Sequence, residues 1–133
     1  MSANSNYSIK ILLGLILAVI LFHLAIIFKV IPYAIVWGGR LRTTTEMYVF
    51  ETVSILINIF LAVILLMKDN RIRHRFKASV VNVILWIFFG IFVLNTIGNI
   101  LAKTTFERSF AVITALSAFL IWNIVFQKRI KGA

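Results

Sequence analysis

The sequence predicts an all-α integral membrane protein that folds as a compact bundle of four transmembrane helices. The chain of 133 residues is 62% hydrophobic and 14% charged, whereas charged residues make up about 25% of an ordinary soluble domain. Its mean hydropathy is +1.03. Four apolar runs follow one another, each long enough to cross the hydrocarbon core, which requires about 20 helical residues. We therefore expect a single transmembrane domain over residues 1–133.

The four helices are predicted at about residues 9–31, 46–67, 79–102 and 107–127. Runs of this length indicate helices, because an isolated strand in lipid would leave its backbone polar groups unpaired. The first run is too long for the core of a signal peptide, so we expect the membrane to retain it. It ends at Pro32, which cannot continue a helical hydrogen-bond ladder, and Gly38 and Gly39 then open a loop.

The distribution of basic residues predicts the orientation of the bundle. Nine lie near the termini or between the second and third helices, and five lie in the other two connections. Because basic connections stay in the cytoplasm, we expect both termini to be cytoplasmic, in a plasma membrane. The basic residues expected on the extracytoplasmic side are Lys29, Arg40, Arg42, Lys103 and Arg108.

The net charge of +10 and the lack of cysteine narrow the expected partners. We expect the basic connection, residues 68–77, to meet anionic lipid headgroups. Nucleic acid is not expected, because this connection lacks the interleaved aromatic residues that stack on bases. Without cysteine the chain has no disulfide, thiolate metal ligand or cysteine nucleophile. No cofactor is expected.

A basic-Thr-Thr-x-Glu motif precedes both the second and the fourth helix, at residues 42–46 and 103–107. Its Thr-x-x-Glu spacing is typical of a capping box, which predicts Thr43 with Glu46 and Thr104 with Glu107 as helix caps. An alternative is that the chain consists of two hairpins in parallel orientation that arose by duplication. The unmatched apolar cores argue against that alternative.

Glu51 is the strongest candidate for a functional residue, because ionisable groups within hydrocarbon are costly. It lies past any capping position and shares a helical face with Ser54 and Asn58. Buried without a cation, Glu51 would be a proton-coupled carboxylate. Paired with one of the extracytoplasmic cations, it would be a structural ion pair.

Asn95 and Asn99 share a narrow arc of the third helix with Gly98 and Ala102. Such an arc is typical of close helix contacts reinforced by amide hydrogen bonds. The alternative is that these asparagines line an extracytoplasmic cavity with Glu51. The residues of this predicted ligand site are Arg40, Arg42, Glu51, Asn58, Asn95, Asn99 and Lys103.

Histidine and carboxylate chemistry offer little support for a metal or haem site. His23 lies within the first helix, and His74, the other histidine, falls in the basic connection, so the two cannot form an axial haem pair within one chain. A hydrogen-bonded or oligomer-facing role is the more economical interpretation of His23. Three acids among five cations make a poor metal site, and none is assigned.

Three functions are compatible with these patterns. The first is a small transport or ligand-binding protein with a polar site in the extracytoplasmic half, suited to an amphipathic or anionic ligand. The second is a non-catalytic accessory subunit that docks onto a larger membrane complex. A lipid or quinone enzyme has the least support, since no nucleophile motif, histidine cluster or aspartate pair is present, and no catalytic residue is assigned. A bundle this small favours a homodimer or larger assembly.

Overall fold

The computed structural model describes the backbone of residues 3–131 and the side chains of residues 5–126. Within this part of the chain all regular structure is helical and no strand is present. Each of the four long helices contains a segment long and apolar enough to cross a membrane. The protein is therefore a multi-pass membrane protein. The helices are α1 Ala3–Ile27, α2 Thr44–Lys68, α3 Ala78–Ile100 and α4 Thr105–Lys131.

The helices run up and down, so that the chain connections alternate between the two ends of the bundle. The α1–α2 and α3–α4 connections lie at one end, called the distal end, which the sequence predicts to be extracytoplasmic. The α2–α3 connection lies at the opposite end, called the basic end. Packing joins α1 to α2 and α4, and α3 to α4, whereas α2 and α3 make a smaller contact.

The end of α1 differs from the prediction, because the helix stops at Ile27 rather than Ile31. Lys29 adopts a left-handed backbone with φ of 60°. The amides of Val30 and Ile31 then both donate to the carbonyl of Ala25, at 2.9 and 3.2 Å. A proline disfavours helical backbone at the residue before it, which explains why the helix cannot reach Pro32.

Two apolar clusters hold the bundle together at different depths. The larger one occupies the basic half, where all four helices contribute buried residues such as Leu12, Leu65, Leu85 and Ile121. The smaller one lies beneath the α1–α2 connection and contains Ile26, Val36, Leu41 and Met47. The distal connection is thus packed onto the helices rather than extended away from them.

Helices α2 and α3 contact each other mainly in the basic half of the bundle. Lys68 donates a hydrogen bond to Asn82 there, and the rings of Phe60 and Phe88 lie 6.0 Å apart. Across the four spans, only 17 to 39% of the residues in the most apolar stretch are buried within the chain. Many span residues are therefore at least partly accessible on the surface of the chain.

Candidate functional site at the distal end

The carboxylate of Glu51 lies at the centre of a buried polar cluster. Its side chain is 0% exposed. The Oε2 atom is 2.5 Å from Nδ1 of His23, and Oε1 accepts a hydrogen bond from Nε1 of Trp37 at 2.7 Å. The three side chains come from α2, α1 and the distal connection. This cluster of Glu51, His23 and Trp37, here called the latch, ties the connection to both helices.

Local packing directs the three side chains of the latch towards one another. His23 is near the end of α1, where the ring of Phe22 packs against it at a centroid distance of 5.8 Å. Trp37 packs edge-on against Phe50 of α2, at 5.2 Å between ring centroids. The apolar body of the indole is thus held by α2 while its N–H reaches the carboxylate.

The backbone of the distal connection is strained at Trp37. Trp37, Gly38 and Gly39 are left-handed in succession, with φ of 56°, 66° and 68°. Glycine adopts such angles at little cost, but a bulky residue at positive φ costs about 1 to 3 kcal/mol and persists only where its surroundings hold it. The indole hydrogen bond and the contact with Phe50 stabilise this backbone conformation of Trp37.

Glu107 secures the same connection from the other hairpin. Its amide donates to the Thr104 hydroxyl oxygen at 3.2 Å, and this hydroxyl donates to Glu107 Oε2 at 3.0 Å. The second carboxylate oxygen, Oε1, accepts from the amide of Gly38 at 2.5 Å. Glu107 therefore reaches across to the α1–α2 connection instead of returning to the Thr104 amide.

Glu46 instead caps its own helix. The Thr43 hydroxyl accepts from the Glu46 amide at 3.1 Å. Glu46 Oε2 accepts from the amides of Arg42 and Thr43, at 2.8 and 3.3 Å. The two similar sequence motifs thus have different roles, since one begins a helix and the other also bridges the hairpins.

The distal carboxylates are all satisfied without a lysine or arginine partner. Glu46 and Glu107 accept from backbone amides, and Glu51 accepts from imidazole and indole. Arg108 donates to the carbonyl of Ala102 at 2.8 Å. Among the residues described, none of the five distal cations forms an ion pair with a carboxylate. The distal end therefore carries five lysines and arginines beside three glutamates that bond elsewhere.

The described hydrogen bonds do not link Glu51 to the asparagines that the sequence grouped with it. Asn58 donates to the carbonyl of Ser54 in its own helix at 2.8 Å. Asn95 is exposed and Asn99 is partly buried. No hydrogen bond joins these three asparagines, or Arg40, Arg42 and Lys103, to Glu51 in residues 5–126.

Sequence reasoning selected Glu51 but did not assign it His23 and Trp37 as partners. The sequence could have indicated the contact between His23 and Glu51, because the two residues lie at similar distances from the turn that joins their helices. Within the described residues, no three His, Cys, Asp or Glu side chains are grouped so that they could hold a metal ion.

Comparison with known proteins gives no match. No protein-family model, curated protein or solved structure is significantly similar to this chain.

Proposed function

We propose that this protein is a small membrane transport or ligand-binding module whose distal connection opens and closes under control of the latch. The observation that carries the proposal is the fully buried Glu51 carboxylate, bonded to the His23 ring and to the strained residue of the connection, Trp37. Intramembrane ionisable groups are functional candidates by default.

The two hydrogen bonds of Glu51 would set the strength of the latch. The bond to His23 joins α2 to α1, and the bond from Trp37 joins the distal connection to α2. Loss of the Trp37 bond would therefore release the connection.

Met47 provides a way to measure this opening, because it is fully buried beneath the connection. The natural chain has no cysteine, so Met47→Cys gives a single thiol. We expect a membrane-impermeant thiol reagent to label this cysteine slowly while the latch is closed and faster when a bond of Glu51 is removed. The same measurement on Tyr48→Cys, whose position is exposed, corrects for differences in labelling that do not depend on opening.

Glu51→Leu tests whether the carboxylate controls the opening. Leucine keeps much of the volume of the side chain but can bond neither to His23 nor to the Trp37 indole. We expect Met47→Cys labelling, corrected by the Tyr48→Cys rate, to be faster in this background. An unchanged rate would contradict the proposal.

A second candidate function, an accessory subunit that docks onto a larger membrane complex, is favoured by Asn95. This amide is exposed within an apolar span and has no hydrogen bond in the described part of the chain. A polar group left unpaired in hydrocarbon is costly, so a partner helix would stabilise it. Gentle detergent extraction followed by mass spectrometry tests this function. A heterologous partner that is lost in Asn95→Leu would support it, and recovery of self-assemblies alone would contradict it.

A further inference from the structure

We infer that the seam between α1 and α4 binds a single-chain anionic amphiphile, such as a fatty acid anion. This inference rests on the proposed ligand-binding function and names the class of ligand. Two independent features support it. The first is an apolar crevice along the seam, and the second is a lysine at the distal end of each helix that has no carboxylate partner among the described residues.

The crevice has a volume of about 130 Å³ and is lined by Leu15, Ala18, Val19, Phe22, Phe110 and Ile113. Apolar cavities of about 150 Å³ bind small apolar molecules such as benzene. The crevice thus has room for a segment of one hydrocarbon chain and too little for two. From Phe22 to Leu15 it extends about 10 Å along α1, at 1.5 Å per residue.

The distal end of the seam is suited to an anionic headgroup. Lys29 follows the end of α1 and Lys103 precedes α4, and both side chains are exposed. Neither has a carboxylate partner among the residues that the structure describes. Lys29 is no more than about 10 Å beyond Phe22 along the α1 direction. A chain whose carboxylate meets Lys29 would therefore extend along the crevice towards Leu15.

A hydrocarbon chain in the crevice would also affect the latch, through Phe22. Phe22 lines the crevice and packs against the ring of His23 at 5.8 Å. It further contacts Phe110, at 4.8 Å between centroids, so the crevice and the latch share one aromatic wall. A chain in the crevice would restrict the motion of that wall.

Photo-crosslinking tests the site directly. The probe is a fatty acid with a diazirine near the end of its chain, added to the purified protein in nanodiscs of zwitterionic lipid. We expect mass spectrometry to place most adducts on the residues that line the crevice. Unlabelled oleate should reduce these adducts, whereas a zwitterionic lysophospholipid with the same chain should not. Adducts spread evenly over the lipid-facing surfaces, or equal competition by both compounds, would overturn the inference.

Paired variants separate the crevice from the general lipid surface. Ala18→Phe should fill the crevice and remove most crevice adducts, whereas Leu17→Phe, at an exposed position outside the lining, should leave them unchanged. Ile113→Phe fills the crevice from α4 and is the second test if Ala18→Phe does not fold. Unchanged adducts in every correctly folded crevice variant would contradict the site.

The charge requirement has its own pair of variants. Lys29→Gln should weaken competition by oleate about fivefold, the effect of one basic residue near a membrane surface. Lys10→Gln, at the basic end, should have no effect. Equal effects of the two variants would contradict a distal headgroup site. Failure of these binding tests, with the effect of Glu51→Leu on Met47→Cys labelling intact, would reject the ligand and leave the latch in place.

Discussion

The carboxylate of Glu51 keeps its place inside an apolar span through two hydrogen bonds, from the imidazole of His23 and the indole of Trp37. Removing one partner of a buried charged pair costs more than replacing both with apolar residues, because the remaining charge is left without compensation. The interaction free energy between His23 and Glu51 can therefore be measured only by a double-mutant cycle.

We predict that His23→Leu destabilises the protein by about 3 to 5 kcal/mol, the usual cost of leaving a buried charge unpaired. Glu51→Leu combined with His23→Leu should restore part of this loss, because no uncompensated charge remains. Unfolding in mixed detergent micelles at neutral pH measures both changes. Additive losses from the two substitutions would show that His23 and Glu51 are not coupled.

For individual residues, the sequence identifies Glu51 as an acid within an apolar helix but does not predict which side chains it contacts. An acid beyond the capping positions of an apolar helix is recognisable from spacing alone. The contact with Trp37 depends on three consecutive left-handed residues in the distal connection. Local sequence favours that conformation at Gly38 and Gly39 but not at the tryptophan, so the position of the indole could not be derived.

Among the elements, the distal connection differs from an ordinary loop because two hairpins hold it. Glu51 binds its Trp37 side chain and Glu107 binds its Gly38 amide. Glu46, from the matching motif, accepts only from amides at the start of α2. The pair Glu46 and Glu107 therefore offers a matched comparison between a helix cap and a bridge.

We predict that Glu107→Ala increases amide hydrogen exchange across residues 36–40, because the Gly38 amide loses its acceptor. Glu46→Ala should increase exchange mainly at residues 42–46, where its own bonds are lost. Loss of a cap costs about 0.5 to 2 kcal/mol, so both variants should remain folded. The same exchange pattern in the two variants would argue against the bridge.

The helices themselves are the most predictable elements, since their apolar length leaves no alternative in lipid. The residues at which the helices begin and end are less predictable. The prediction began α1 at Ile9, where the continuous apolar run starts, whereas the helix begins at Ala3 and its first residues are mostly polar. Hydropathy cannot detect a polar helical turn. The early end of α1 follows from the left-handed Lys29, whose amide donates to Ile26 while the Val30 amide donates to Ala25, a common C-terminal helix cap.

For the whole molecule, the arrangement of charge separates the two ends. The basic end carries nine lysines and arginines against five at the distal end. The distal cations lack carboxylate partners in the described structure because the nearby acids bond elsewhere. Orientation in the membrane depends on this difference in basic residues.

We predict that replacing Arg71, Arg73, Arg75 and Lys77 with glutamine gives a mixed orientation, because the basic end then carries as many cations as the distal end. A reporter fused to the C-terminus, active only in the cytoplasm, should lose about half of its signal. Replacing the exposed Ser79, Val80 and Val83 of α3 with alanine is the control and should leave the signal unchanged. A full signal from the glutamine variant would show that these four residues do not set the orientation, and a missing signal from the unaltered chain would contradict the predicted orientation.

The bond between Gly38 and Glu107 also bears on how the protein is made. A nascent chain that has inserted only α1 and α2 contains Gly38 but not yet its acceptor, which follows at the start of α4. The connection can reach its final conformation only after the second hairpin has been synthesised and has associated with the first. Formation of this one hydrogen bond therefore marks completion of assembly.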